Sequence, residues 1–212
     1  MSEILMAVMP YSDYEGACNA IREATGKTEK IPSGQFESEV RNALASGGGG
    51  ENNELLVEVV GGSVTELTVQ DLEGLTEVAQ RALSDRTSLS KLELPDTVTT
   101  IGIYGCQNTA ITEFICPDSL TYIATGAFSS CKGLKRVVFN RNLIQLGNQV
   151  FGDCISLEEL DFSQCTSIPS ISNVNCFKNV PTSCIYKIPS ALYEEWKAAT
   201  NWSTYADYMV AV

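Results

Sequence analysis

The feature that most constrains this chain is a repeat. Leu89, Ile111, Leu134, Leu157 and Val180 follow one another at spacings of 22, 23, 23 and 23 residues. A second register, Leu92, Phe114, Val137 and Leu160, advances by 22, 23 and 23. Leu83, Phe128 and Phe151 sit shortly before the periodic aliphatic residue, with Ala82 and Ala127 ahead of the first two. A fixed period of this size marks a stacked array, in which each unit buries its apolar side only against its neighbours. The expected fold is an α/β repeat solenoid of about 23-residue units, with a small N-terminal helical hairpin and a C-terminal cap.

Each unit reads as a strand, a proline or turn residue, a second short apolar stretch, and a short helical turn ending at the periodic leucine. Glu54–Val60 reads as a leading strand or cap and Leu67–Val69 as the first regular strand. Later units start near Lys91, Glu113, Arg136 and Glu159. Pro95 and Pro117 end their strands at matching points, since proline cannot donate to a ladder, and Asn140 takes that place in the next unit. From Glu159 to Val180 the length is kept, but Ile168-Pro169 and Asn173–Cys176 replace the helical turn. Cys184–Ile188 supplies a last strand. Ser190 is placed to cap a helix carrying Leu192, Tyr193 and Trp196, and Trp202, Tyr205 and Tyr208 add bulk to close the open end.

Ahead of the array, Ser12 and Glu15 form a capping box. Ala17, Ala20, Ile21 and Ala24 line one helical face up to Gly26, and Phe36, Val40 and Leu44 recur every four residues on a second helix. Two short helices bury too little surface to stand alone, so Ile21, Phe36, Val40 and Leu44 are candidate assembly residues. Ser46 and the four glycines after it read as a flexible tether. The expected organisation is a docking element over 1–45, a linker over 46–51, the solenoid over 52–183 and a cap over 184–212.

Composition excludes several functions. Net charge is −12, so no nucleic-acid partner is expected. No histidine is present, which removes Ser-His-Asp, Cys-His and His-metal chemistry. No cofactor, metal or catalytic residue is assigned. No apolar run is long enough to span a bilayer, and the acidic start Met1-Ser2-Glu3 lacks the basic region of a signal peptide. Cys131 and Cys154 occupy one place in successive units, which favours a column of buried thiols over disulfides; no Cys-x-x-Cys pair exists for zinc. Thr25-Gly26-Lys27-Thr28 looks like the end of a phosphate loop but lacks its first glycine and its strand.

In a parallel array alternate strand residues face outward. Leu67/Val69, Leu92/Leu94, Phe114/Cys116, Val137/Phe139 and Leu160/Phe162 are expected inside. One outward column, Glu66, Lys91, Glu113, Arg136 and Glu159, alternates in sign at every step. It is either a self-satisfied ladder, worth about 0.2–1 kcal/mol per pair, or a polar strip for a ligand. A second column, Thr68, Glu93, Ile115, Val138 and Asp161, sets two apolar residues between acids, an interface-like arrangement. Glu93, Ile115, Val138 and Asp161 are therefore the candidate ligand-binding residues. Glu93 and Asp161 are expected roughly 10 Å apart, wide even for an inverting glycosidase. Trp196, Trp202, Tyr205 and Tyr208 form either a hydrophobic end-cap or a sugar-stacking platform, and Asn201-Trp202-Ser203 is a glycosylation sequon.

Two resemblances follow. Ile123-Ala124-Thr125-Gly126-Ala127-Phe128-Ser129-Ser130-Cys131-Lys132-Gly133-Leu134 resembles the BspA-like (bacterial surface-antigen type) leucine-rich repeat. So does Leu92-Glu93-Leu94-Pro95-Asp96-Thr97-Val98-Thr99-Thr100-Ile101-Gly102. The likeness runs over about 64–210 and departs at Gly105 and Asn108, which stand where Phe and Cys are expected. It implies a non-catalytic, right-handed leucine-rich-repeat solenoid used in adhesion or recognition. The segment from Ala17 to Thr28, with Ile31-Pro32-Ser33-Gly34, is similar to short helical segments near the front of tail and other virion proteins in phages of Gram-positive gut bacteria. That likeness implies a docking piece. Together they imply a virion-associated adhesion or decoration protein. Residues 1–45 would bind virion structural proteins, the array would meet a host surface protein or glycan, and a homo-oligomer is possible. The alternative is a bacterial cell-surface adhesin.

Overall fold

Two units divide the chain, Met1–Gly62 and Ser63–Val212. The computed structural model describes residues 64–212. The helical hairpin, its candidate assembly residues Ile21, Phe36, Val40 and Leu44, and the glycine tether lie outside the described residues.

Two columns of very short parallel strands build the array. The first face carries β1 (Glu66–Leu67), β3 (Lys91–Leu92), β5 (Glu113–Ile115), β7 (Arg136–Val138), β9 (Glu159–Asp161) and β11 (Ile185–Ile188). The second carries β2 (Glu77–Val78), β4 (Thr100–Ile101), β6 (Tyr122–Ile123), β8 (Gln145–Leu146) and β10 (Ser170–Ile171). The second face is one continuous sheet, ordered β10-β8-β6-β4-β2. The first is interrupted: β1 pairs with β3, while β5, β7, β9 and β11 form a separate sheet completed by β12 (Met209–Ala211). The register is the one the repeat dictates, with Phe114 opposite Val137 and Val137 opposite Leu160.

The third side of each coil differs from expectation. No helical turn forms there. Arg81, Tyr104 and Gln149 have positive φ, as does Gly126 at the matching place; Asp85, Asn108, Ser130 and Asp153 repeat the feature four residues on, and Asn179 holds that second place in the last coil. A left-handed residue at such intervals cannot propagate a right-handed helix. The coils are joined instead by backbone bonds from Leu83 N to Gly105 O, Cys106 N to Ala127 O, Phe128 N to Val150 O and Phe151 N to Cys176 O. These bonds align Cys106 with Phe128, and three residues on Thr109 with Cys131. The departure from the repeat therefore falls at Cys106 and Thr109, not at Gly105 and Asn108. Asn108 keeps its column, its Nδ2 donating to Asp85 Oδ1 at 2.8 Å.

The periodic positions form the core. Leu89, Ile111, Leu134 and Leu157 are buried; Val180, the last of the series, is only half-buried. The reason is a longer final coil: Ile185 pairs with Glu159, 26 residues away, so the unit does not keep its length. Val69 also departs from the pattern. It is 46% exposed, because β1 ends at Leu67 and Thr68 already turns, its N–H and hydroxyl both donating to Asp71 Oδ2. Phe128, Phe151 and Phe177 stack face to face along the axis at 5.6 and 5.9 Å, and Phe139 lies on Phe162 at 4.0 Å. Trp196 and Trp202 close the stack, each 5.3 Å from Phe162. Gly147 permits the close approach of coils: a Cβ there would lie 2.5 Å from Thr125 N. The seven described cysteines are buried and unpaired by disulfides. Cys131 and Cys154 donate to the carbonyls of Cys106 and Phe128, and burial pushes the Cys165 and Cys184 thiols up to about 12.

The cap is formed by a 3-10 turn (Ser190–Leu192), the helix α1 (Tyr193–Ala198), a second 3-10 segment (Trp202–Tyr208) and β12. Ser190 does not cap the helix; its hydroxyl donates to Val212 O at 2.8 Å. Trp202 Nε1 donates to Pro169 O at 2.7 Å. Among the described residues no helix is long and apolar enough to cross a membrane.

Candidate functional site

The alternation of β5, β7 and β9 points Phe114, Val137 and Leu160 into the core and turns Glu113/Ile115, Arg136/Val138 and Glu159/Asp161 outward. Ladder register then places Ile115 beside Val138 and Val138 beside Asp161, with Lys187 and Val210 continuing the row. Ile115 is 58% exposed and Val138 half-buried. Three of the four candidate ligand-binding residues thus share one sheet face.

Glu93 does not join them. It directly follows β3, across the interruption, and its carboxylate takes Lys91 Nζ at 2.9 Å. Two strands, β5 and β7, separate β3 from β9, so Glu93 and Asp161 stand about three strand spacings apart, or about 14 Å. That is farther than the roughly 10 Å expected from the sequence, and the pair is still less suited to glycoside hydrolysis.

Asp161 is only 8% exposed, not the open rim acid that alternation alone predicts. Its Oδ1 accepts the Ser163 N–H at 3.0 Å and its Oδ2 accepts Arg136 Nη2 at 3.2 Å. Arg136 also donates from Nε to Glu159 Oε1 at 2.7 Å and from Nη1 to Glu113 Oε1 at 2.8 Å. Lys187 Nζ reaches the other oxygen of Glu159 at 2.6 Å. The expected sign-alternating ladder therefore exists over Glu113, Arg136 and Glu159. It fails at Lys91, which pairs with Glu93 two residues on instead of across to a neighbouring strand. Burial works to raise the Glu159 and Asp161 carboxyls. For Glu159 the hydrogen bonds from Lys187 and Arg136 outweigh it, and for Asp161 the bonds from Ser163 and the charges of Lys187 and Arg136 do, so both groups sit below their ordinary range.

The aromatic cluster is not a surface platform. Trp196, Trp202 and Tyr205 are buried against Phe162 and Phe177, so they close the core and do not present rings to a sugar. Asn201 of the sequon donates its Nδ2 to Ile171 O at 3.0 Å. Among the described residues no group of three potential ligands is placed to hold a metal ion.

Comparison with known proteins adds the following. A family model described as BspA type leucine rich repeat region matches residues 61–188 in six copies. Among solved structures, a leucine-rich repeat protein of Treponema pallidum is 28% identical, with 62% of each chain covered and a TM-score of 0.49. One from Bacteroides ovatus is 23% identical over 57% of this chain and 33% of its own, with a TM-score of 0.46. The pneumococcal vaccine antigen PcpA is 24% identical over 53% and 32%, with a TM-score of 0.44. The chain thus spans about a third to under two thirds of the length of these proteins. No curated protein matches it.

Proposed function

The chain belongs to the BspA-type leucine-rich repeat family, and from that premise we propose that it is a non-enzymatic recognition or adhesion protein whose binding surface is the outer face of β5–β9. The observation that carries this reading is the exposed Ile115, beside Val138, on a face whose charges are otherwise paired with one another. A rigid sheet with an apolar centre and an ion-paired rim is suited to a protein partner. An aliphatic residue this open, on a surface fixed from below by Phe114 and Val137, gains by being covered.

The reading extends to location. The likeness of residues 17–34 to virion segments supports a virion-associated protein, attached to other virion proteins through residues 1–45 and turning the array toward a host surface protein or glycan. The repeat family itself supports the second reading, a bacterial cell-surface adhesin. Immunogold electron microscopy with an antibody against residues 64–212 separates them. Gold on phage particles supports the first, gold on the cell envelope supports the second, and gold on neither overturns both.

A further inference from the structure

We propose that Arg136, with Ile115 and Val138, forms a stacking seat for an aromatic side chain on a partner polypeptide that carries basic residues beside that ring. The inference rests on the recognition reading above and names the chemistry the same face accepts.

The donors of Arg136 decide what it can still bind. A guanidinium has all its N–H groups in its plane, and its two faces carry none. Here each of its three nitrogens already donates to a carboxylate: Nε to Glu159, Nη1 to Glu113 and Nη2 to Asp161. Those acceptors are rooted on the strands either side of β7 and on one sheet face, so they hold the guanidinium plane along that face. Two consequences follow. The in-plane edge is ringed by carboxylates, so a phosphate, sulfate or partner carboxylate meets repulsion where an unpaired arginine would attract it. The side chain is 39% exposed, and with its edge taken up by carboxylates the surface left for a partner is the flat π face of the ion. Guanidinium faces stack on aromatic rings, and a desolvated contact of this kind is among the stronger ones at interfaces. Three carboxylates also fix the side chain beforehand, so little rotamer freedom remains to be lost on binding.

Ile115 and Val138 complete the seat. They flank Arg136 on its own face, Val138 two residues along the same strand and Ile115 in register with Val138 on β5. A ring lying on the guanidinium reaches these methyl groups. The local charge selects what stands beside the ring. Glu113, Glu159 and Asp161 against Arg136 and Lys187 leave one negative charge in excess, and Glu113 is half exposed. A Lys or Arg flanking the aromatic residue complements that excess.

The test uses the full chain and a random dodecapeptide library displayed on phage. Peptides selected on the immobilised chain are resynthesised and titrated by fluorescence anisotropy, each beside a version with its aromatic residue changed to alanine. The proposal predicts enrichment of Trp, Tyr or Phe next to Lys or Arg. It predicts at least a tenfold loss of affinity on the aromatic-to-alanine change. The same loss is expected with I115E and with R136K, which keeps the charge but removes the planar face. I144E, at a 65% exposed residue beside the second sheet, is expected to bind as the parent does. Peptides that lose affinity with I115E but contain no aromatic residue would overturn this inference and leave the recognition face intact. Peptides affected only by I144E, or no enrichment at all, would overturn both.

Discussion

The two halves of the array solve the same repeat differently. Before β5 the core is aliphatic, with Leu67, Leu72, Leu75, Val78, Leu83, Leu89 and Leu92 buried, and the first-face sheet has two strands. From β5 onward the core is aromatic and the sheet runs through five strands. The outer faces follow the same division. Lys91 and Arg136 occupy equivalent places in the outward column, each between two glutamates of that column. Lys91 satisfies itself on Glu93, two residues on, while Arg136 joins strands on both sides. The difference teaches that strand pairing alone does not turn a sign pattern into a ladder: Glu66 and Lys91 are in register, yet it is the Arg136 fork that reaches acids on both neighbouring strands at once.

The comparison breaks most severely if the aromatic core is emptied. Phe151 contacts Phe128, Phe139 and Phe177, and Phe151→Ala is expected to cost about 3–5 kcal/mol, measured by chemical denaturation. A smaller break comes at the boundary turn. Gly126 has φ +66°, and a Cβ there would lie 2.3 Å from Tyr104 Cε1. Gly126→Ala is expected to cost about 1–2 kcal/mol for the left-handed backbone and also to dislodge Tyr104 from beneath the Arg81 guanidinium 4.8 Å away. That displacement would appear as a change in tyrosine fluorescence.

The next prediction sharpens the contrast between the two cations. Arg136→Ala leaves the nearly buried Asp161 without its guanidinium and is expected to lower stability measurably. Lys91→Ala removes an exposed pair and is expected to leave stability nearly unchanged. The sign of the pH dependence separates the two further. Glu159 and Asp161 are held below their ordinary values of 4.5 and 3.8. Stability from such groups is present above those values and is lost as the pH falls through the lower folded ones. The gap between the parent and Arg136→Ala is therefore expected to hold at neutral pH and to close as the pH falls below 4.5, followed by denaturation at each pH.

Much of this was legible in the sequence, because the period is set by burial and burial recurs. Leu89, Ile111, Leu134 and Leu157 are inside, the inward partners from Leu92 to Phe162 are inside, and Trp196 and Trp202 cover the open end. The second sheet was harder to read, since two-residue strands such as Tyr122–Ile123 are too short to show alternation. The first left-handed place of each coil was hidden because Arg81, Tyr104 and Gln149 are not residues that announce positive φ, whereas Asp85, Asn108, Asp153 and Asn179 at the second place offered a cue that was missed. The burial of Asp161 was missed because alternation gives a direction and says nothing of the neighbours that cover a side chain. A cue existed in the Asp161-x-Ser163 spacing, which allows the carboxylate to accept the N–H two residues on. The interruption between β3 and β5 leaves no sequence signal beyond the 22-residue step of that coil.

The central claim is that the β5–β9 face is the one that recognises a partner. It is tested most directly by flow cytometry of the fluorescently labelled full chain on a panel of intact bacterial and epithelial cells, beside its I115E and I144E variants. The account predicts that the parent and I144E stain the same cells equally and that I115E loses at least nine-tenths of the signal. Loss with I144E and retention with I115E, or equal staining by all three, would contradict it.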